Sequence, residues 1–199
     1  FNIVTFTETM LRRYDNDGFV QIVTIPQYTD VTIDSTLTAR DWDGSSGGIL
    51  AMEASGTVTF NSDINVTGKG FRGGGLLNNA GCYGAGAGYD GYRCAEADEC
   101  GAEKGEGIIG DVSGIELGRG APANGGGGGN SHNTGGGGGS NNGTGGQGGE
   151  RTNVAATDCQ GLNPGLGGHA LTYSNAENRI FMGGGGGAGD QNSNQGTLG

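Results

Sequence analysis

Short β-branched stretches, each ended by turn-forming residues, fill roughly the first 80 positions of the chain. Residues 19–25 (FVQIVTI), 30–33, 36–39, 49–54, 57–60 and 63–67 are separated by Pro, Asp, Asn, Ser or Gly, which is the punctuation of strands. No segment sustains apolar residues at i, i+3, i+4 and i+7, so almost no helix is expected. The strands also repeat. Residues 31–39 (VTIDSTLTA) match residues 58–66 (VTFNSDINV) at an offset of 27, with Val31, Ile33, Leu37 and Ala39 recurring as Val58, Phe60, Ile64 and Val66. The polar corner Asp34-Ser35 recurs as Asn61-Ser62, and GGIL at 47–50 recurs as GGLL at 74–77. A period of this size marks a stack in which each unit buries its apolar face only against its neighbours. The expected fold is all-β: a right-handed parallel β-solenoid, or a related stack of short strands. A weaker third copy is expected around Ile108, Ile109 and residues 114–117.

Beyond residue 80 the pattern changes from strands to glycine. Three runs of five glycines occupy 125–129, 135–139 and 183–187, in a chain holding 49 glycines among 199 residues. Serine-padded glycine is ordinarily a flexible linker. Here the runs have equal length, and their connectors carry distinct residues such as His132, Asn133, Arg179, Ile180 and Phe181. That favours ordered, extended strands of the polyglycine II kind. These are three-fold helices without internal hydrogen bonds, free to bond laterally to parallel neighbours. The resulting division is an N-terminal segment (1–28), solenoid repeats (29–80), a cysteine-containing loop insertion (81–107) and a glycine-rich region (108–199).

Composition narrows the function. A hydrophobic fraction of 32% argues against a conventional globular core, and a net charge of −11 repels nucleic acid and anionic headgroups. No apolar run reaches the roughly 18 residues of a membrane span, and no leader pattern stands at the N-terminus. Cys82, Cys94, Cys100 and Cys159 are an even number, with 11, 5 and 58 residues between them. No close pair of the zinc-ligand type results, so two disulfides formed in an oxidising compartment are expected, their pairing open.

GRGAPANGGGGG (118–129), NSHNTGGGGGSNNGTGGQGG (130–149) and NRIFMGGGGGAGDQN (178–192), with the upstream GGILAMEASGTVTFNSDINVTGKGFRGG (47–74), resemble a motif set of large glycine-rich surface proteins of Bacteroidota. The resemblance covers most of residues 30–199. It implies export by the type IX secretion system, an adhesin-like role with a link to gliding, a cell-surface location, anchoring by outer-membrane machinery and a very long parent chain. The cysteine insertion at 82–100 is not part of that motif set, and no C-terminal sorting domain is visible.

Candidate chemistry is sparse. Asp41 and Asp43, two apart in RDWDG, would share a strand face as paired carboxylates of a glycan-cleaving site do, but Asp43-Gly44 also reads as a turn. YDNDG at 14–18 lacks the Glu that closes an EF-hand. Glu96, Asp98, Glu99, Glu103 and Glu106 could together hold Ca²⁺ from a loop, or form a solvated acidic face. His132 and His169 have no nucleophile arrangement beside them. No other cofactor is expected, and no catalysis. Tyr83, Tyr89 and Tyr92, with Trp42, are the side chains suited to contact sugars or surfaces, by flat apolar area with a polar tip. The reading is a non-enzymatic extracellular stalk or adhesin whose partners are glycans or surfaces. A glycine-rich receptor-binding module such as a fibre tip, a β-solenoid glycan-active enzyme and an ice-binding array are the rivals.

Overall fold

The computed structural model describes residues 5, 7, 9, 20–75, 91–93, 101–110, 113–130, 133–150, 163–173 and 180–190. Among them there is no helix and only a little strand: β1 (Gln27–Tyr28), β2 (Val31–Ile33), β3 (Glu53–Ala54) and β4 (Val58–Phe60). β1 pairs with β3 and β2 with β4, both parallel. Val31 faces Val58, Thr32 faces Thr59 and Ile33 faces Phe60, which is the 27-residue offset of the sequence repeat. The bridge between Leu37 and Ile64 keeps the same offset, and further on the Trp42 amide still bonds to the second coil, at the Lys69 carbonyl at 3.0 Å, with the register shifted by one residue. The two copies therefore lie side by side as two coils.

Polar side chains support this register from outside. Gln27 donates to Glu53 at 3.2 Å, Asn61 donates to Asp34 at 2.7 Å, and Asp30 accepts from the Thr57 amide at 2.7 Å. Between the coils' strands, Gly47 and Gly48 turn the chain at φ of 108° and 72°, a region where L side chains are strained. Gln21 donates to the Gly47 carbonyl and accepts from its amide, at 2.8 and 2.9 Å. The first coil thus reaches back before position 29, since β1 begins at Gln27 and Gln21 is already fastened to the turn.

The glycine-rich part is a bundle of extended segments bonded through their backbones. In the 124–130 segment the amides of Gly126, Gly127 and Gly128 donate to Gly185, Leu166 and Gly118, and Gly129 returns to Ala188 while Asn130 returns to the neighbourhood of Leu166 at Asn163. Neighbours thus recur every third residue, the repeat of an extended helix with three residues per turn. Its carbonyls accept from the remaining sides, from Ala102 and Gly105 and from Gly137 and Ser140. Segments 101–107, 134–140, 163–169 and 182–190 therefore surround it. They also bond among themselves: Gly184, Gly187 and Asp190 donate to Ser140, Gly137 and Thr134 at 2.8 to 2.9 Å.

The expectation that such strands would bond to parallel neighbours is corrected in detail. Segments 124–130 and 182–190 run parallel, but 124–130 and 134–140 are antiparallel, since Gly137 donates to Gly127 and Ser140 to Asn124. A three-fold helix radiates its amides and carbonyls around its axis, so neighbours of either direction can meet them. Close approach is what demands glycine. A Cβ on Gly127 would overlap the Arg119 carbonyl, and one on Gly184 the Asn124 carbonyl. Polar residues bracket the runs instead: Asn124, Asn130, Thr134 and Ser140 are all buried.

Among the described residues of 108–117 no third coil is found: Glu103 bridges antiparallel to Leu117, which is 1% exposed within the bundle, and among the described residues the β2–β4 sheet has two strands. Likewise 101–107, expected as the end of an inserted loop, is one of the bonded segments. Where coil and bundle meet, Trp42, Phe71 and Met182 form a buried cluster with Ile49 and Ile108 against it.

Candidate functional site

Of the aromatic residues expected to face a ligand, Trp42 does not. Its ring is 6% exposed, packs edge-on against Phe71 at 5.2 Å and donates Nε1–H to Glu106 Oε2 at 2.9 Å. The ring is apolar enough to be drawn into the seam between coil and bundle, and its one donor is satisfied there. Tyr83 and Tyr89 lie outside the described residues, as do Cys82, Cys94, Cys100 and Cys159 and the segment 14–18.

Tyr92 stays at the surface, 43% exposed. The Arg119 guanidinium stands over its ring at 5.2 Å, a cation–π geometry. Backbone bonds hold the two together: Gly120 donates to the Tyr92 carbonyl at 3.0 Å and Arg119 to the Gly91 carbonyl at 2.7 Å. The pair offers a flat apolar face beside a fixed positive charge. Sequence reasoning singled out Tyr92 but missed Arg119, because the two are 27 positions apart and only bundle packing joins them. A second aromatic pair was also missed. Tyr173 and Phe181 meet in a tilted arrangement, their ring centroids 4.9 Å apart, with the Tyr173 hydroxyl donating to Asn141 at 2.9 Å and Ile180, next in the chain to Phe181, 52% exposed.

The carboxylates do structural work. Asp43 accepts from the amides of Ser45 and Ser46, both at 2.9 Å, and pairs with Arg40 at 3.3 Å. These bonds, that of Ser46 foremost, hold its carboxyl down at about 2. An inverting glycosidase needs one carboxyl kept protonated as general acid, and Asp43 is pulled the opposite way. Asp41 is paired with Lys69 across the coils. Glu103 accepts from the Gly75 amide at 2.6 Å. Glu106 accepts from Trp42 and from the amide and guanidinium of Arg72. Of the residues proposed for a Ca²⁺ loop, Glu103 and Glu106 are thus engaged in joining segments, and Glu96, Asp98 and Glu99 lie outside the described residues. Among the described residues no three of His, Cys, Asp and Glu converge as metal ligands, and no helix is long and apolar enough to cross a membrane.

His169 is exposed, and its backbone rather than its ring is in use: its amide donates to Ala123, and its carbonyl accepts from Ser140 Oγ. His132 lies outside the described residues. At one end of the bundle Asn124 acts as a hub. It is fully buried, accepts from the Ile108 amide at 2.9 Å and donates to the carbonyls of Met182 and Ser140 at 3.0 and 3.3 Å. An asparagine standing directly before a glycine run was the available signal for it.

At the other end Asn130, Thr134, Asn163 and Asp190 come together. The Asn130 amide donates to Asn163 and the Asp190 amide to Thr134, each at 2.9 Å. Burial pushes the Asp190 carboxyl up from 3.8 to about 7. Between those values the folded chain keeps a proton that the unfolded chain has released, so stability falls as pH rises through that window. Asp190→Asn is expected to flatten the denaturation midpoint across it. An unchanged slope in the variant would show that the burial of this carboxyl carries no such linkage.

Compared with protein-family models, curated proteins and solved structures, the chain finds no match.

Proposed function

We propose that the chain is a non-enzymatic, extracellular segment of a large repetitive surface protein, a stalk or adhesin built for attachment. In this reading the two coils belong to a parallel β-solenoid stem, and the glycine segments are polyglycine II rods packed into a stiff block. The observation that carries it is the backbone bonding of the 124–130 segment to neighbours on every side. Such a block has almost no side chains inside with which to do chemistry. It is rigid because each segment is held by several others, and side chains for contact remain only on its flanks and ends. Tyr92 with Arg119 is the described contact point best suited to a glycan or an anionic surface. Each contact of this kind is weak, so attachment strength would come from many copies acting together. The likeness to surface proteins of Bacteroidota adds type IX export, outer-membrane anchoring and a part in gliding to the proposal.

Antibody labelling of intact, unpermeabilised source cells, with the cell-free medium assayed in parallel, tests it. Labelling of the exterior is the expected result, and signal confined to the medium would reject a cell-anchored stalk. Purified protein is also expected to release no reducing ends from a polysaccharide panel; release that disappears in Asp41→Asn or Asp43→Asn would overturn the non-enzymatic reading. A second reading is a receptor-binding module of the fibre-tip kind, favoured by the gathering of Asn130, Thr134, Asn163 and Asp190 at one end of the rods. Saturable nanomolar binding to one receptor would select it over broad, weak adhesion.

A further inference from the structure

The coils end in an uncovered rung. Ile33 and its successor by one period, Phe60, occupy equivalent places in the stack, yet Ile33 is 7% exposed and Phe60 57%. Ala39 and Val66 repeat the contrast at 6% and 45%, and Ile64 is 45% exposed. The backbone is open on the same side. Thr57 and Asp63 give their carbonyls, and Asn61 and Asn65 their amides, to the first coil. Strand alternation then turns the amides and carbonyls of Val58, Phe60 and Ile64 outward, and β4 has no second neighbour among the described residues. An open edge carrying an uncovered apolar row is a template for another strand.

The chain carries a third instance of the matching pattern. Val4-Thr5-Phe6 stands one 27-residue period before Val31-Thr32-Ile33, as Val58-Thr59-Phe60 stands one period after it. We propose that the open face formed by Val58, Phe60, Ile64 and Val66 docks residues 4–9 of a second copy of this chain, so that copies stack head to tail in the same register. The docking is the continuation of the interface already formed between the two coils, with valine on valine and an apolar residue on Phe60. The first coil of the partner is not the occupant, because its own row, at Ile33 and Ala39, is already covered. A contact between two different faces does not close on itself and builds filaments. This inference stands apart from the adhesive reading: stacking could occur in a protein with any surface role, and its failure would leave that reading untouched.

The test is sedimentation velocity of the full chain over a concentration series, for the unmodified protein, Phe60→Glu, Phe6→Glu and an equimolar mixture of the two variants. The unmodified chain is expected to form a ladder of species beyond the dimer. Each variant alone is expected to be monomeric, its dissociation constant raised roughly tenfold or more, equivalent to about 1.4 kcal/mol. The mixture is expected to give a 1:1 dimer and nothing larger, since each variant keeps one intact face. Phe60 is already exposed, so its replacement leaves the fold in place; native Trp42 emission checks this for both variants. Ile64→Asp repeats the test on the same face. A monomeric unmodified chain overturns the proposal, and so does a dimer that survives Phe6→Glu, which would mean that two copies meet face to face through the second coil.

Discussion

Gly127→Ala is expected to unfold the glycine bundle under conditions where Gly146→Ala leaves it intact. A methyl on Gly127 has no room, because it would overlap the Arg119 carbonyl and press on Gly120, whereas one on Gly146 meets nothing. Gly127 also donates to Leu166 and accepts from Gly137, both at 2.8 Å, so relief by moving this backbone breaks bonds to two other segments. Overpacking costs about 1 to 3 kcal/mol, and two lost hydrogen bonds add about 1 kcal/mol each. The stiffer unfolded chain of the alanine variant returns about 0.4 to 1 kcal/mol. The net loss is about 3 kcal/mol, a fall in Tm of roughly 10 °C for a chain of this size. Gly146→Ala has only the returning term. Thermal melts of the two variants side by side check this, and equal melting temperatures would mean that the segments around Gly127 are not packed as described.

Glu106→Ala is the second large effect. The carboxylate side chain is 9% exposed and is the shared partner of Trp42 on the first coil and of Arg72 at the entry to the bundle. Its amide donates to the Arg72 carbonyl, and its own carbonyl accepts from Gly185, so side chain and backbone fasten the same seam. Removal takes away the carboxylate that accepts from the buried indole N–H and pairs with the guanidinium. Arg72 reaches solvent, its side chain 58% exposed, which lowers the loss from that half of the pair. The expected destabilisation is about 2 to 4 kcal/mol, against about 1 kcal/mol for Glu106→Gln, whose amide oxygen still accepts from Trp42. The chain holds one tryptophan, so urea denaturation followed by its emission reports on the seam itself. A midpoint unchanged in Glu106→Ala would show that coil and bundle are joined by the Trp42, Phe71 and Met182 cluster alone.

How much of this was legible beforehand varies with the range of the interaction. The 27-residue repeat was visible because parallel stacking places like residues on like: Val31 on Val58, and Leu37 beside Ile64. Even there the earlier instance at Val4-Thr5-Phe6 escaped notice, since the following Thr7-Glu8-Thr9 departs from the polar corner seen at Asp34 and Asn61. The turn at Asp43 was legible because its acceptors and donors are two and three residues apart. Glu106 was not, for its partners are 64 and 34 positions away, and an acidic residue in a glycine-rich stretch looks the same whether it faces water or a tryptophan.

The sequence by itself determined the period, the absence of helix among the described residues and the places where only glycine fits, because these follow from backbone sterics and from patterns a few residues wide. Strand length depends instead on where a partner pairs: of the strand expected at 19–25 the described residues form none, and the one expected at 49–54 shrinks to Glu53–Ala54. Only the tertiary structure decided which segments touch. A glycine run has no side chain to distinguish one neighbour from another, so the direction and register of the 124–130, 134–140 and 182–190 segments come from the connections and from Asn124, Asn130, Thr134 and Ser140 at their ends. The same contest between solvent and neighbour sent Trp42 inward and left Tyr92 outside beside Arg119. Burial is a property of the whole packing, and it was settled by where Phe71, Met182 and Glu106 arrived.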